Sequence, residues 1–126
     1  MKIPNQIRDL VPAFFETSKK AKNIEKDGAN YKEAKITLEI IDIVANEKRK
    51  DNNAYISAKS AQSYFTIVSD EFVNVEYKEG DLARIIRLAD DTYHIEIIPQ
   101  ELDEYNIWKK LCNQDLRGST KRFGIM

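Results

Sequence analysis

The sequence predicts a mainly β fold with flanking helices, and three patterns indicate it. Apolar and polar residues alternate in short runs between residues 54 and 98, which is typical of strands with one buried face. The preceding residues, 34–45, are rich in β-branched side chains, which favour strands. Near both ends of the chain, apolar residues recur every three or four positions and indicate helices. A length of 126 residues suits one domain, so we expect residues 1–126 to share a core.

The N-terminal segment, residues 1–30, is predicted to be helical. Apolar side chains recur at helical spacing over its first fifteen residues, and Pro4 suits the first turn of a helix. Pro12 lacks a backbone N–H, so it should kink this helix or begin a second one. Gly28 can adopt the left-handed conformation that ends many helices, so we expect the helical segment to end there.

Residues 34–45, AKITLEIIDIVA, admit two interpretations. As a helix, they would place Ile36, Ile40 and Ile43 on one face. As a strand, every second residue up to Ile40 faces one way, and the alternation then slips by one residue, as it does at a β-bulge. The β-branched residues favour the strand. We therefore expect residues 34–45 to pair with residues 54–60.

Four further strands are predicted after this one. The first, second and fourth of them alternate between apolar and polar residues, whereas the third is an apolar-rich run. A short acidic turn joins the last two. They cover residues 54–60, 62–68, 82–88 and 92–98. The polar stretch 46–53 is interpreted as a loop between the first two strands, and it carries Lys48, Arg49 and Lys50.

A C-terminal helix is predicted over residues 100–116, and residues 117–126 form a tail. An apolar stripe along the helix consists of Leu102, Tyr105, Trp108, Leu111 and Cys112. This stripe could cover the protein's own sheet or bind a partner. Two large amphipathic rings on a terminal helix are typical of interface anchors, which favours the partner.

The five strands resemble an oligonucleotide-binding (OB) barrel, with a long first strand and a loose link between the third and fourth. The stretch KEGDLARI, 78–85, resembles the Gly-Asp that often opens the fourth strand of OB domains. The stretch IEIIPQELDEYNIWKKL, 95–111, resembles the exit of the small OB subunits of replication protein A and of the telomeric CST complex. The resemblance covers residues 34–116. It implies a five-stranded OB-like barrel at 34–98 whose C-terminal helix binds larger OB-fold subunits.

This resemblance implies a non-catalytic, structural subunit of a nuclear complex that binds single-stranded DNA in replication or telomere maintenance. OB domains hold nucleic acid with the loop between the first two strands and with the second and third strands. The residues at those positions in this sequence are Lys48, Arg49, Lys50, Tyr55, Lys59 and Tyr64. The acidic turn at Asp90 and Asp91 would repel phosphate, so the resemblance implies at most weak direct contact with DNA.

Composition and motifs argue against other functions. The net charge of −1 argues against a protein that coats nucleic acid by its total charge. A local basic surface is still compatible with it, and 12 of the 20 Lys and Arg residues lie between residues 1 and 59. His94 is the sole histidine and is predicted to face outward, so we expect no metal site, no cofactor and no enzyme activity. Cys112 is the sole cysteine, so no disulfide can form within the chain. We expect no signal peptide and no membrane span.

A second interpretation concerns residues 21–42, AKNIEKDGANYKEAKITLEIID. This stretch resembles the turn of a tetratricopeptide-type or MIT-type helical hairpin. The resemblance covers residues 14–45 and would make the first half of the chain helical. The resemblance implies a cytosolic adaptor or a virion assembly protein that binds protein and no nucleic acid. The conformation of residues 34–45 separates the two interpretations.

Overall fold

The chain folds around a curled β-sheet, and the structure, a computed structural model, describes residues 1–15, 21–117 and 121–125. Its fold is mainly β, as the alternating runs predict. No helix in these residues is long and apolar enough to cross a membrane. The helices are α1 (Asn5–Leu10), α2 (Glu104–Leu111) and a short 3₁₀ helix (Asp70–Asn74). The strands are β1 (Lys2–Pro4), β2 (Lys22–Lys26), β3 (Ala29–Asp42), β4 (Glu47–Lys59), β5 (Tyr64–Val68), β6 (Leu82–Ala89), β7 (Thr92–Ile98), β8 (Gln114–Asp115) and β9 (Arg122–Phe123).

In the described part of the chain, the main sheet has the order β1-β5-β4-β3-β7-β6, and β2 lies beside the first half of β3. β4 pairs with β3 antiparallel along one edge, and β2 and the parallel strand β7 share the other edge. The predicted pairing of residues 34–45 with 54–60 is confirmed only for residues 34–36, which lie opposite 54–56, because residues 38–42 pair with 47–51. The helical interpretation of residues 34–45 is therefore wrong. The five predicted strands are present as β3 to β7, but the predicted count of five is wrong, because β1 and β2 also join the main sheet and give it seven strands in the described residues.

The predicted slip in alternation lies on β4 and not in β3. β3 alternates as far as Asp42, which is buried and accepts a backbone hydrogen bond of 3.0 Å from the turn that follows. On β4 the register shifts: Ala54 lies opposite Ile36, but Asp51 lies opposite Leu38, so β4 carries one extra residue. The prediction was wrong because it required an apolar side chain at every inner position, and Asp42 is a polar exception.

The predicted basic loop is also wrong. The turn between β3 and β4 covers only residues 43–46, and β4 begins at Glu47. Lys48, Arg49 and Lys50 are therefore strand residues, and neighbours along a strand point to opposite faces of the sheet.

The core fills the inner face of the sheet. The aromatic residues Phe14 and Phe15 cover this face from the segment after α1, with the Phe15 ring 4.9 Å from the Phe65 ring. The Tyr93 hydroxyl donates a hydrogen bond of 2.7 Å to the Phe14 carbonyl, which ties this segment to β7. The buried strand residues of the core are Ile3, Ile36, Leu38, Ile40, Ala54, Ile56, Phe65, Ile67, Tyr93, Ile95 and Ile97.

The prediction of a helical N-terminal segment is wrong for most of residues 1–30. The helix α1 has six residues and ends at Leu10. Pro12 accounts for this end, because a proline disfavours the helical conformation of the residue before it, here Val11. Residues 16–20 lie outside the described residues, so the prediction is not compared there.

Residues 22–33 form a hairpin where the helix was predicted to end. β2 pairs antiparallel with the start of β3. Asp27 and Gly28 join the two strands, and both have a positive φ, of 50° and 76°. Two consecutive left-handed residues form the tight turn that matches the twist of paired strands, and Asp-Gly is a preferred sequence for it. Gly28 therefore turns a hairpin and does not end a helix.

The C-terminal helix is shorter than predicted. α2 covers eight residues of the range 100–116, and the chain then continues as β8, which pairs with β9. The Gly124 backbone lies against the Leu111 carbonyl, so close that a side chain at this position would overlap it. The Gln6 side chain bonds to the backbone of Asp115 (3.1 Å) and Arg117 (3.0 Å), which fixes the segment after α2 against α1.

Candidate nucleic-acid interface

The outer face of strands β1 to β5, which we call the basic face, concentrates positive charge. Among the described residues of these strands, strand pairing places seven lysines and two glutamates, Glu33 and Glu39, on this face. The face therefore has a net charge of 7 − 2 = +5, although the whole chain has a net charge of −1. All these lysines except Lys59 are exposed. The seven are Lys2, Lys22, Lys26, Lys35, Lys48, Lys50 and Lys59.

The β-bulge on β4 explains why two of the predicted basic residues face the same way as the predicted aromatic ones. Lys50 lies opposite Glu39 on one side of the bulge, and Tyr55 lies opposite Lys35 on the other. Strict alternation along β4 would have placed Lys50 and Tyr55 on opposite faces, because five positions separate them. The extra residue at the bulge brings both side chains back to the same face of the sheet. Five of the six predicted nucleic-acid residues therefore lie on the basic face: Lys48, Lys50, Tyr55, Lys59 and Tyr64.

Arg49 is the exception among the predicted binding residues. It lies opposite the buried residue Ile40 and so belongs to the inner face of the sheet. Its guanidinium is 2.7 Å from the Glu47 carboxylate and 3.8 Å from that of Glu71. Arg49 therefore pairs with the protein's own carboxylates at the rim of the core and does not share the basic face with Lys48 and Lys50.

The sequence interpretation missed Tyr31, which lies on the basic face directly opposite Lys59. The Lys59 ammonium lies 5.9 Å from the centre of the Tyr31 ring, and the Lys2 ammonium lies 4.8 Å from that of Tyr64. The alternation of ANYKEAKI after the Asp27–Gly28 turn could have revealed a strand here. Lys2, Lys22 and Lys26 were missed because residues 1–30 were interpreted as helical. Lys35 lies in the predicted strand 34–45 but was not assigned a role.

A chain of charged side chains continues from the basic face onto β7 and β6. Glu39 is 3.4 Å from the Lys48 ammonium and 3.6 Å from the His94 ring. The His94 ring is in turn 3.1 Å from Glu96, which accepts a hydrogen bond of 2.6 Å from Arg84. Burial alone would raise the pKa of Glu96, but the hydrogen bonds from Arg84 and His94 outweigh it and hold this pKa below its ordinary value.

Glu96→Gln is expected to lower the melting temperature at neutral pH. A carboxylate with a depressed pKa stabilises the fold above the ordinary Glu value of 4.5 and loses this contribution as the pH falls through its folded value. The difference between the variant and the wild type should therefore shrink as the pH falls below 4.5. Thermal melting across this range measures it, with Glu76→Gln, an exposed carboxylate, as the control. A difference that stays constant with pH would contradict the assignment.

The predicted partner-binding stripe is divided between the protein's own fold and solvent. Tyr105 is buried, and its hydroxyl donates a hydrogen bond of 2.7 Å to the Gly80 carbonyl. Trp108 is half-buried, with the Arg84 guanidinium 4.6 Å from its ring centre. Leu111 is 43% exposed. Leu102 and Cys112 are half-buried and lie just outside the two ends of α2.

No family model matches this chain, and no curated protein matches it.

Proposed function

We propose that the protein is a non-catalytic nucleic-acid-binding protein whose basic face holds phosphates. The observation that carries the proposal is the excess of five positive charges on one face, in a chain whose net charge is −1. Lysines clustered on one surface attract a polyanion and release its condensed counterions when they bind it. The tyrosines among them add rings on which bases stack.

The proposed setting is the one that the resemblance implies. β3 to β7 would correspond to the five strands of an OB-like barrel, and the curled, mainly β sheet supports this correspondence. The protein would then be a structural subunit of a nuclear complex that binds single-stranded DNA in replication or telomere maintenance. For assembly with a larger OB-fold subunit, we propose the exposed side of α2. Ile107, 64% exposed, and Leu111 lie one helical turn apart on it and support this assignment.

The triple variant Lys22→Gln, Lys35→Gln, Lys50→Gln tests the proposal. These three lysines are exposed, and no ion pair is seen for them among the described residues, so their loss should leave the melting temperature unchanged. Affinity for a fluorescent oligonucleotide should fall at least roughly tenfold, because fewer counterions are released when fewer phosphates are neutralised. The slope of log affinity against log salt should become shallower by about 0.7 for each phosphate of a single strand that the variant leaves unneutralised.

The matched control removes the same charge elsewhere. Lys78→Gln, Lys109→Gln, Lys110→Gln changes three exposed lysines that lie in a loop and on α2, outside the basic face. This control should bind the oligonucleotide almost as tightly as the wild type. If both triple variants lose the same affinity, total charge and not the basic face determines binding, and the proposed function is wrong. The same conclusion follows if the wild type does not bind.

A further inference from the structure

Two tyrosines and a lysine form a row across the basic face. Tyr31 on β3 lies opposite Lys59 on β4. The β4–β5 pairing ends at Ser57 and Thr66, and this register, continued by two residues, would bring Lys59 level with Tyr64. At the spacing of neighbouring strands, about 4.8 Å, Tyr31 and Tyr64 would then lie about 10 Å apart on either side of Lys59. We call these three residues the tyrosine row.

The rings of the tyrosine row have the environment of a stacking site. Both residues are half-buried, so each is held at the sheet and is still partly accessible to solvent. Each ring has a lysine ammonium close to it, from Lys59 at Tyr31 and from Lys2 at Tyr64. A base stacked on either ring would bring its own phosphate next to one of these cations. Rings that stack bases beside cations that contact phosphates are the two components of single-strand binding sites.

Tyr55 lies apart from this row. It lies between Lys35 and Val68, four residues before Lys59 along β4, or about 13 Å at the rise of a strand. Its neighbour Lys35 is exposed. The face therefore presents two separate aromatic positions, the tyrosine row and Tyr55, with lysines at each.

We infer that the tyrosine row selects unpaired nucleotides, so that the ligand of the basic face is a single strand and not a duplex. This inference rests on the proposed function. In a duplex the flat faces of the bases are covered by their neighbours, and only the phosphates can reach the sheet. In a single strand two bases can stack on Tyr31 and Tyr64, while Lys59 contacts the phosphate between them. The lysines then supply affinity for any polyanion, and the two rings supply the preference for unpaired bases.

The first test needs no variant. The wild-type protein is titrated with three fluorescent probes: an oligothymidine, an abasic oligonucleotide of the same length and charge, and a duplex. The oligothymidine should bind roughly tenfold or more tightly than the abasic strand, because stacking requires a base. Equal affinity for the oligothymidine and the abasic strand would overturn the inference. It would leave the proposed function intact, since that function is judged by the lysine variants and the salt slope.

The second test assigns the preference to the two rings. Tyr31→Ala, Tyr64→Ala should weaken binding of oligothymidine roughly ten- to a hundredfold and leave the abasic strand, the duplex and the salt slope unchanged. Tyr31→Phe, Tyr64→Phe keeps both rings and should bind like the wild type. Tyr77→Ala removes an exposed tyrosine outside the row and serves as the control. If the double Ala variant binds oligothymidine like the wild type, or loses affinity for all three probes alike, the tyrosine row does not select unpaired bases.

Discussion

Leu38→Ala is expected to lower the free energy of unfolding by about 2 to 5 kcal/mol, a large part of the about 5 to 15 kcal/mol that stabilises a domain. Leu38 is 0% exposed. It lies in the middle of β3, opposite Asp51 on β4 and level with Tyr93 on β7, so neighbours on both sides enclose it. The substitution leaves a cavity among strands that cannot close around it, because each is held by its own pairing. Denaturant unfolding measures the loss.

Val44→Ala provides the comparison for this experiment. Val44 lies in the turn that follows β3, and its side chain is 65% exposed. Because it removes apolar atoms from the surface and not from the core, its effect should stay within about 0.5 kcal/mol. If the two substitutions cost the same, the inner face of β3 is not the centre of the core.

Hydrophobic alternation predicted the strands well where one face is apolar and poorly where both faces are polar. The apolar residues of β5 and β7 alternate with polar ones, and both strands lie within two residues of their predicted ends. The start of β4 has no such signal, because its inner positions are Arg49 and Asp51. These two are held by polar partners, Glu47 for Arg49 and the Ser69 hydroxyl at 2.6 Å for Asp51. A strand end that carries ion pairs at the rim of a core therefore has the sequence pattern of a loop.

The N-terminal error has a different origin, since a helical spacing arose there from two elements. Ile3 belongs to strand β1 and is buried, whereas Ile7 belongs to helix α1 and packs on the core. Their separation of four residues is that of one helical face, although a strand and a helix supply one residue each. Whether residues 2–4 form a strand or a helix depends on the strand that pairs with them. That strand is β5, whose residues Tyr64 to Thr66 lie about sixty positions later in the sequence.

The sequence predicted the residues of the candidate site correctly only where it predicted the strands correctly. The predicted residues of β4 and β5 other than Arg49 share a face because of the strand alternation and the bulge. Arg49 lies between Lys48 and Lys50 along β4, so it belongs to the opposite face. Tyr31 was missed, because it lies between the predicted helical segment 1–30 and the predicted strand 34–45, whereas the observed strand β3 already begins at Ala29. The Asp27–Gly28 pair was the local signal for the hairpin that contains Tyr31, and it was assigned to a helix end.

Tyr105→Ala is expected to destabilise the protein by about 3 to 5 kcal/mol, the range for removing a large buried ring. Tyr105 is 9% exposed, and its hydroxyl bonds to the Gly80 carbonyl. The Gln100 side chain, just before α2, bonds at 2.8 Å to the Glu79 carbonyl in the same turn. This turn leads into β6, so the segment that leaves β7 returns to fix the beginning of the neighbouring strand. That role gives a physical reason for a helix directly after the last hairpin.

Leu111→Ala is the matched substitution for Tyr105→Ala, on the side of α2 that faces solvent. It should change the free energy of unfolding by no more than about 0.5 kcal/mol, because Leu111 is partly exposed at the end of the helix. If α2 also binds a larger subunit, this variant should remain folded and yet co-purify less of that subunit. Denaturant unfolding of both variants, measured beside co-purification, therefore separates the two uses of α2. A Tyr105→Ala protein as stable as the wild type would show that the ring does not fix the turn before β6. It would favour the interpretation that the whole apolar stripe of the helix binds a partner.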